Sequence, residues 1–267
     1  MNKLREAPIF TIEGTSFLVD IDKQVLRQTN DSSHEISFIT QMTDRGDHYI
    51  IPFDPHRKRV YEGDFTYHQI EAIVVPPLIV LDPEGMSRKY GVPVDQLAGK
   101  TDFEVIVDQH ALYHRLNGIL PQINLAGEMF TVDIRNHDLR DSRNFSPVIS
   151  LKSFELTNDG WHYEAYYHPV MKQVVEIDPK LLEFPEGVVK IRIPNEIGLD
   201  PVGTARQYGM DERELLRRYP ILIILKAEII PLSETNIPAM IQRNREQLRQ
   251  EHEEITRRIR PKHRPHF

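Results

Sequence analysis

Short stretches in which apolar and polar side chains alternate run through most of the chain, bounded by glycine, proline, asparagine and aspartate. A two-residue period marks strands with one covered face, because successive side chains of a strand point to opposite sides. Ile9-Phe10-Thr11-Ile12 and Ser16 to Ile21, separated by Glu13-Gly14-Thr15, predict a hairpin near the start, and the segment around Gly127 predicts another. Ile36 to Ile39 leads through Asp44-Arg45-Gly46-Asp47 into His48 to Phe53, and Ile149 to Leu156 leads through Asn158-Asp159-Gly160 into Trp161 to Tyr167. Asp-Gly between apolar runs is a turn signal, since Gly tolerates positive φ. Further strands are predicted over Lys58 to Glu62, Ile70 to Val80, Phe103 to Val107 and their equivalents in the second half. The last of them, Ile221 to Leu225, is apolar throughout and reads as a fully buried central strand.

Helices interrupt this pattern at two matching places. Leu81 to Gly91 and Leu199 to Gly209 each put Asp at the N-cap, Pro at the first helical position and Gly just past the end. A second helix is predicted after each, weak over Val94 to Leu97 and stronger over Asp211 to Arg218. The small residues Ser87 and Ala205, with Gly91 and Gly209 four positions later, suit a helix–turn–helix corner. The carboxylates of Asp211, Glu212 and Glu214 oppose any reading of DNA by the second corner. Asp108 to Gly118 predicts a short connecting helix.

The two halves share more than their helix signals. Pro8, Gly14, Phe17, Asp20, Leu26 and Arg27 recur 113 positions on as Pro121, Gly127, Phe130, Asp133, Leu139 and Arg140. Gly46, His48, Tyr49 and Pro55 recur one step out of phase as Gly160, His162, Tyr163 and Pro169, and Ile73, Asp82, Pro83, Gly85 and Tyr90 recur as Ile191, Asp200, Pro201, Gly203 and Tyr208. Ordered motifs with small phase slips are the mark of a repeated unit. The expected architecture is α+β: a tandem duplication of a small, mostly antiparallel β unit with a helix–turn–helix corner. The first unit is expected over residues 1–107, a connecting helix or linker over 108–120, the second unit over 121–232 and a C-terminal helical arm over 233–267.

The arm has no counterpart in the first unit. Ile237, Met240, Ile241, Leu248, Ile255 and Ile259 lay a narrow apolar stripe along an otherwise charged segment, as in a helix that buries one edge. From Gln242 onward eight Arg and Lys face four Glu, an excess of positive charge against the chain's net −7. The last residues, Arg257 to Phe267, are basic and broken by Pro261 and Pro265, a composition that reads as disordered in the free protein.

Composition narrows the chemistry without assigning it. A length of 267 residues, 40% apolar and 27% charged, suits two ordinary globular domains. With no Cys there are no disulfides, thiolate nucleophiles or cysteine metal sites, and no phosphate loop, G-x-S-x-G elbow or calcium loop is found. The longest apolar run, Ala72 to Leu81, is broken by Pro76-Pro77, and the N-terminus lacks an apolar leader core, so a cytoplasmic protein without membrane contact is expected. His110 and His114 share a helix face without the Glu of a zinc-protease motif, and no cofactor or metal is expected. Asp20 with Arg27, and Asp133 with Arg140, are read as structural bridges, because a group needed by one active site has no reason to recur in both units.

The resulting expectation is a non-enzymatic binding or scaffold protein acting through its arm on a protein partner or a second copy. Its contact residues would be Ile241, Leu248, Ile255, Arg257, Arg258 and Arg260. Two alternatives stand beside it: an accessory protein holding nucleic acid through the basic tail, and an enzyme with a site between the two units.

Overall fold

The computed structural model describes residues 5–63, 70–213 and 215–259, without the side chains of Arg258 and Ile259. The opening hairpin forms as β1 (Ile9–Ile12) and β2 (Thr15–Asp20), joined by a two-residue turn in which Glu13 and Gly14 both have positive φ. That mirror-image turn matches the twist of the strands it joins. Along β2, Thr15, Phe17 and Val19 are buried while their neighbours are half-exposed, as the period of two requires. β3 (Val25–Gln28) and β4 (Glu35–Ser37) complete an antiparallel meander in the order β1-β2-β3-β4.

A second sheet follows in the same unit. Its centre is β6 (Tyr49–Asp54), with the short β5 (Thr43–Asp44) and β7 (Arg59–Val60) sharing one edge and β8 (Glu71–Val75) along the other. After β8 come α1 (Leu78–Leu81), α2 (Pro83–Tyr90), α3 (Asp102–Ile106) and α4 (Gln109–Leu116). Phe17, Leu26, Ile36, Phe38, Tyr49, Ile51, Phe53 and Met86 are among its buried residues.

The second half begins with a meander of β9 (Gln122–Leu125), β10 (Glu128–Asp133), β11 (Asp138–Asp141) and β12 (Val148–Ser150). The turn between β9 and β10 again has two positive φ values, at Ala126 and Gly127. β14 (His162–His168) is flanked by β13 (Glu155–Leu156) and β15 (Gln173–Val174) on one edge and by β16 (Val189–Pro194) on the other. α5 (Glu196–Leu199) and α6 (Pro201–Gln207) follow. β17 (Ile224–Lys226) then runs parallel to β9, β18 (Glu228–Ile230) pairs with β16, and α7 (Ile237–Ile259) ends the chain's described part. Ile123, Leu125, Phe130, Leu139, Tyr167, Ile191 and Ile193 lie in the core of this half.

The fold is therefore α+β with antiparallel sheets. The chain packs as two compact units, one of residues Met1–Leu112 with Arg213–Pro220, the other of Tyr113–Glu212 with Ile221–Phe267. The excursion of Arg213–Pro220 has a polar anchor in the first unit. Arg217 reaches Gln24 Oε1 at 3.0 Å and Asp44 at 3.2 Å, lies over the Tyr49 ring, and its carbonyl accepts from Gln24 Nε2.

Four local expectations are corrected. The strand expected over Ile70 to Val80 stops at Val75, because Pro76 and Pro77 have no N–H to donate to a ladder, and Leu78–Leu81 forms α1 instead. Phe103 to Ile106 is helical rather than extended, because Thr101 and Glu104 form a reciprocal capping box that starts α3. Ile221 to Leu225 is not a central strand: β17 lies at the edge of its sheet, with Leu225 inward and Ile224 exposed. Of the two second helices, Val94–Gln96 forms one 3-10 turn, whereas the described part of Asp211 to Arg218 forms turns only, with Leu216 and Arg217 buried.

Candidate functional site

Asp82 and Asp200 show how the same residues build the same local structure twice. Each carboxylate accepts the backbone N–H of the third helical residue, Gly85 at 2.8 Å or Gly203 at 2.9 Å, and each is followed by Pro. A side chain on Gly85 or Gly203 would collide with that carboxylate, so both positions need glycine. Each Asp also binds an arginine, Arg5 in the first unit and Arg115 in the second. These are helix-cap assemblies, satisfied and closed.

Asp102 does a related task. Its oxygens accept from the Tyr49 hydroxyl at 2.8 Å and from the backbone N–H groups of Leu78 at 2.8 Å and Ile79 at 2.9 Å, supplying α1 with the cap that Pro77 lacks. Burial, with the neighbouring Asp102 charge, pushes the Tyr49 phenol well above its ordinary range. The phenol therefore stays protonated and holds a fixed hydrogen bond.

The repeated Asp and Arg residues form bridges across their meanders. Arg27 contacts Asp20 at 2.6 Å and Glu35 at 2.9 Å, and Arg140 contacts Asp133 at 3.5 Å and Asp138 at 3.2 Å. The hydrogen bond to Glu35, helped by Asp20, raises the Arg27 pKa further above its already high value. His48 meets Asp47 at 2.7 Å just before β6, and His162, the first residue of β14, lies 3.9 Å from Asp159; both histidines are half-buried. His110 and His114 both lie on α4, and among the described residues no group of three or more His, Asp or Glu is placed to hold a metal ion. Neither corner presents a second helix long enough to read a DNA groove among the described residues.

α7 differs from these satisfied clusters. Its start is pinned: Thr235 Oγ1 accepts from the Ile237 N–H at 3.2 Å, the Tyr166 hydroxyl donates to Asn236 at 3.1 Å, and Ile237 and Ile241 are buried. Asn244 donates to the carbonyls of Pro179 and Leu181, both at 2.9 Å, and Arg245 donates to that of Leu182 at 2.8 Å. Beyond this point the described part of the helix is exposed. Every residue from Arg245 to Arg257 is exposed, and Leu248 and Ile255 are each 54% exposed. Beside the pinned part, Phe184, Pro238, Ile241, Gln242, Arg245 and Arg249 line a groove of about 390 Å³ whose walls are mostly apolar.

The structure thus divides the expected contact residues. Ile241 belongs to the anchored end and Leu248, Ile255 and Arg257 to the projecting end, the side chain of Arg258 and the whole of Arg260 lie outside what is described, and Arg257 to Ile259, expected to be disordered, continue the helix. What sequence reasoning did not find is the clasp over residues 179–182, since Asn244 and Arg245 bind backbone carbonyls, which leave no trace in residue type. No described helix is long and apolar enough to cross a membrane. Comparison of the chain with protein-family models, curated proteins and solved structures gives no match.

Proposed function

We propose that the chain is a non-enzymatic binding scaffold of the cytoplasm, built from two copies of one α+β module, and that it engages a protein partner or a second copy of itself through the projecting half of α7. The observation that carries this reading is the exposed stretch from Glu246 to Arg257, a helix with Leu248 and Ile255 half uncovered on one stripe. Ile241, Leu248 and Ile255 stand seven residues apart, so they follow one seam of the helix. Full burial of a Leu or Ile side chain is worth about 1.5–3 kcal/mol, and roughly half of that is still to be gained at each of the two exposed positions. The correspondence of the units is supported by the shared order of strands and by the two Asp-Pro caps.

The test compares two variants of the full chain by sedimentation and co-purification at two salt concentrations. Leu248→Asp with Ile255→Asp is expected to abolish self-association or partner capture, while Arg257→Gln, Arg258→Gln and Arg260→Gln together leave most of it. Apolar docking survives modest salt, whereas contact with nucleic acid weakens steeply with it. Loss of binding in the Gln variant alone, with salt-sensitive retention of nucleic acid, would replace the scaffold reading by the basic-tail alternative.

A further inference from the structure

In the second unit a single extended segment, β17 followed by β18, closes two sheet edges. β17 lies along β9, β18 lies along β16, and the bend between them falls at the buried Ala227, whose N–H donates to the Asn124 carbonyl at 2.9 Å. On the inner face this segment presents Leu225 and Ala227, and under it Ile123 and Ile191 are fully buried. On the outer face Glu228 pairs with Arg192 at 3.2 Å.

Among the described residues the matching edges of the first unit carry no such strand. Among the described residues β1 pairs only with β2, and β8 pairs only with β6. Register identifies the counterparts: Phe10 stands opposite Phe17 as Ile123 stands opposite Phe130, and Ile73 stands opposite Ile51 as Ile191 stands opposite Ala165. Phe10 and Ile73 are only half-buried, where their counterparts are sealed. The outer face differs in kind as well. Where the second unit has the cross-strand pair Glu164 and Arg192, the first has Ile50 and Val74, and Val74 is 60% exposed. An open edge of this length offers unpaired backbone groups to any extended chain that fits it.

We propose that the edges of β8 and β1 form a slot for an extended segment of a partner protein, which adds to both sheets of the first unit as β17 and β18 add to those of the second. The inference rests on the correspondence of the two units but is independent of α7. The occupant's chemistry follows from the register. The residue taking the place of Glu228 would lie opposite Val74 and is apolar, and the one three positions later, in the place of Pro231, would lie opposite the exposed carboxylate of Glu71 and is Lys or Arg. A second copy of the chain joining edge to edge fits less well, because one bent strand must reach both sheets. Main-chain pairing supplies the affinity of such a complex and the alternate side chains its selectivity.

The probe is a fluorescent peptide of residues Ile221–Pro231 carrying Glu228→Val and Pro231→Lys, compared with the unaltered peptide by anisotropy on the full-length protein. The altered peptide is expected to bind roughly fivefold more tightly than the unaltered one. Val74→Arg on the protein should invert that preference, and Glu71→Lys should weaken the altered peptide several-fold. Both positions are exposed, so neither change threatens the fold. The Leu248→Asp, Ile255→Asp variant should bind the peptide as the native chain does, even if the arm proves to have no partner. Absence of saturable binding would overturn the proposal. So would affinities indifferent to Val74→Arg and Glu71→Lys, or a native dimer that Val74→Arg dissociates while no peptide binds.

Discussion

Replacing Arg115 by Leu should destabilise the protein more than replacing Arg5 by Leu, although both remove the arginine from an Asp-Pro helix cap. The side chain of Asp200 is 1% exposed and that of Arg115 9%, so Arg115→Leu leaves a carboxylate sealed from water with the Gly203 N–H as its remaining hydrogen-bond donor among the contacts described above. Breaking a buried pair by deleting one partner costs about 3–5 kcal/mol, because the surviving charge keeps its desolvation penalty without its attraction. Arg5 is 25% exposed and water can take its place beside Asp82, so the corresponding loss is closer to about 1–2 kcal/mol. The double variant Arg115→Leu with Asp200→Asn removes the orphan charge while keeping a good N-cap residue, and it should recover more than half of the loss. Urea unfolding followed by tryptophan fluorescence and circular dichroism gives the stabilities, and hydrogen exchange at the Gly203 and Gly85 amides reports each cap locally. Equal losses for Arg115→Leu and Arg5→Leu, or a double variant no better than the single one, would refute the reasoning.

At Asp102, substitution by Asn leaves one acceptor oxygen for three donors and should cost about 1–3 kcal/mol, read as a lower urea midpoint and faster exchange at the Leu78 and Ile79 amides. A hydrogen bond from Lys172 at 2.5 Å, then the Arg143 N–H, hold the Asp141 carboxyl below its ordinary value. Its contribution to stability is therefore complete above the unfolded value of about 3.9 and lost as pH falls through the lower folded one, so Lys172→Met should flatten the decline of the urea midpoint between pH 5 and pH 2. Glu13 and Ala126 occupy left-handed backbone at the first position of their hairpin turns, a conformation costing such residues about 1 kcal/mol, and Glu13→Asn or Ala126→Asn should each raise the melting temperature.

How much of this was legible in the sequence depended on whether the signal was local. The hairpins around Gly14 and Gly127 and the Asp-Pro helix starts are written in adjacent residues, and they form where the pattern puts them. Thr101-Asp102-Phe103-Glu104 is an equally local capping signal, but the apolar run behind it reads as a strand unless the box is given priority. Ile221 to Leu225 could be read only as apolar, since whether a strand is central or at an edge is decided by what lies on its far side. The helical pattern of Asp211 to Arg218 yields to tertiary demands, because Leu216 and Arg217 are drawn into the first unit. The stripe on α7 was visible as a stripe, whereas the division between its anchored and projecting halves comes from the carbonyls of residues 179–182.

The anchoring of Arg217 bears on the order in which the protein can be made. Gln24 and Arg217 are 193 positions apart, so the polar group that occupies the space beside Tyr49 and Asp44 leaves the ribosome only after nearly all of the second half has been synthesised. Until then the N-terminal half can form its meander and the β6 sheet, whose contacts are local, but lacks a piece of its own structure. A fragment ending near Leu112 would be short of that piece permanently. Completion of the first unit thus waits for Arg213–Pro220, a segment of eight residues made only after Tyr113–Glu212 of the second unit.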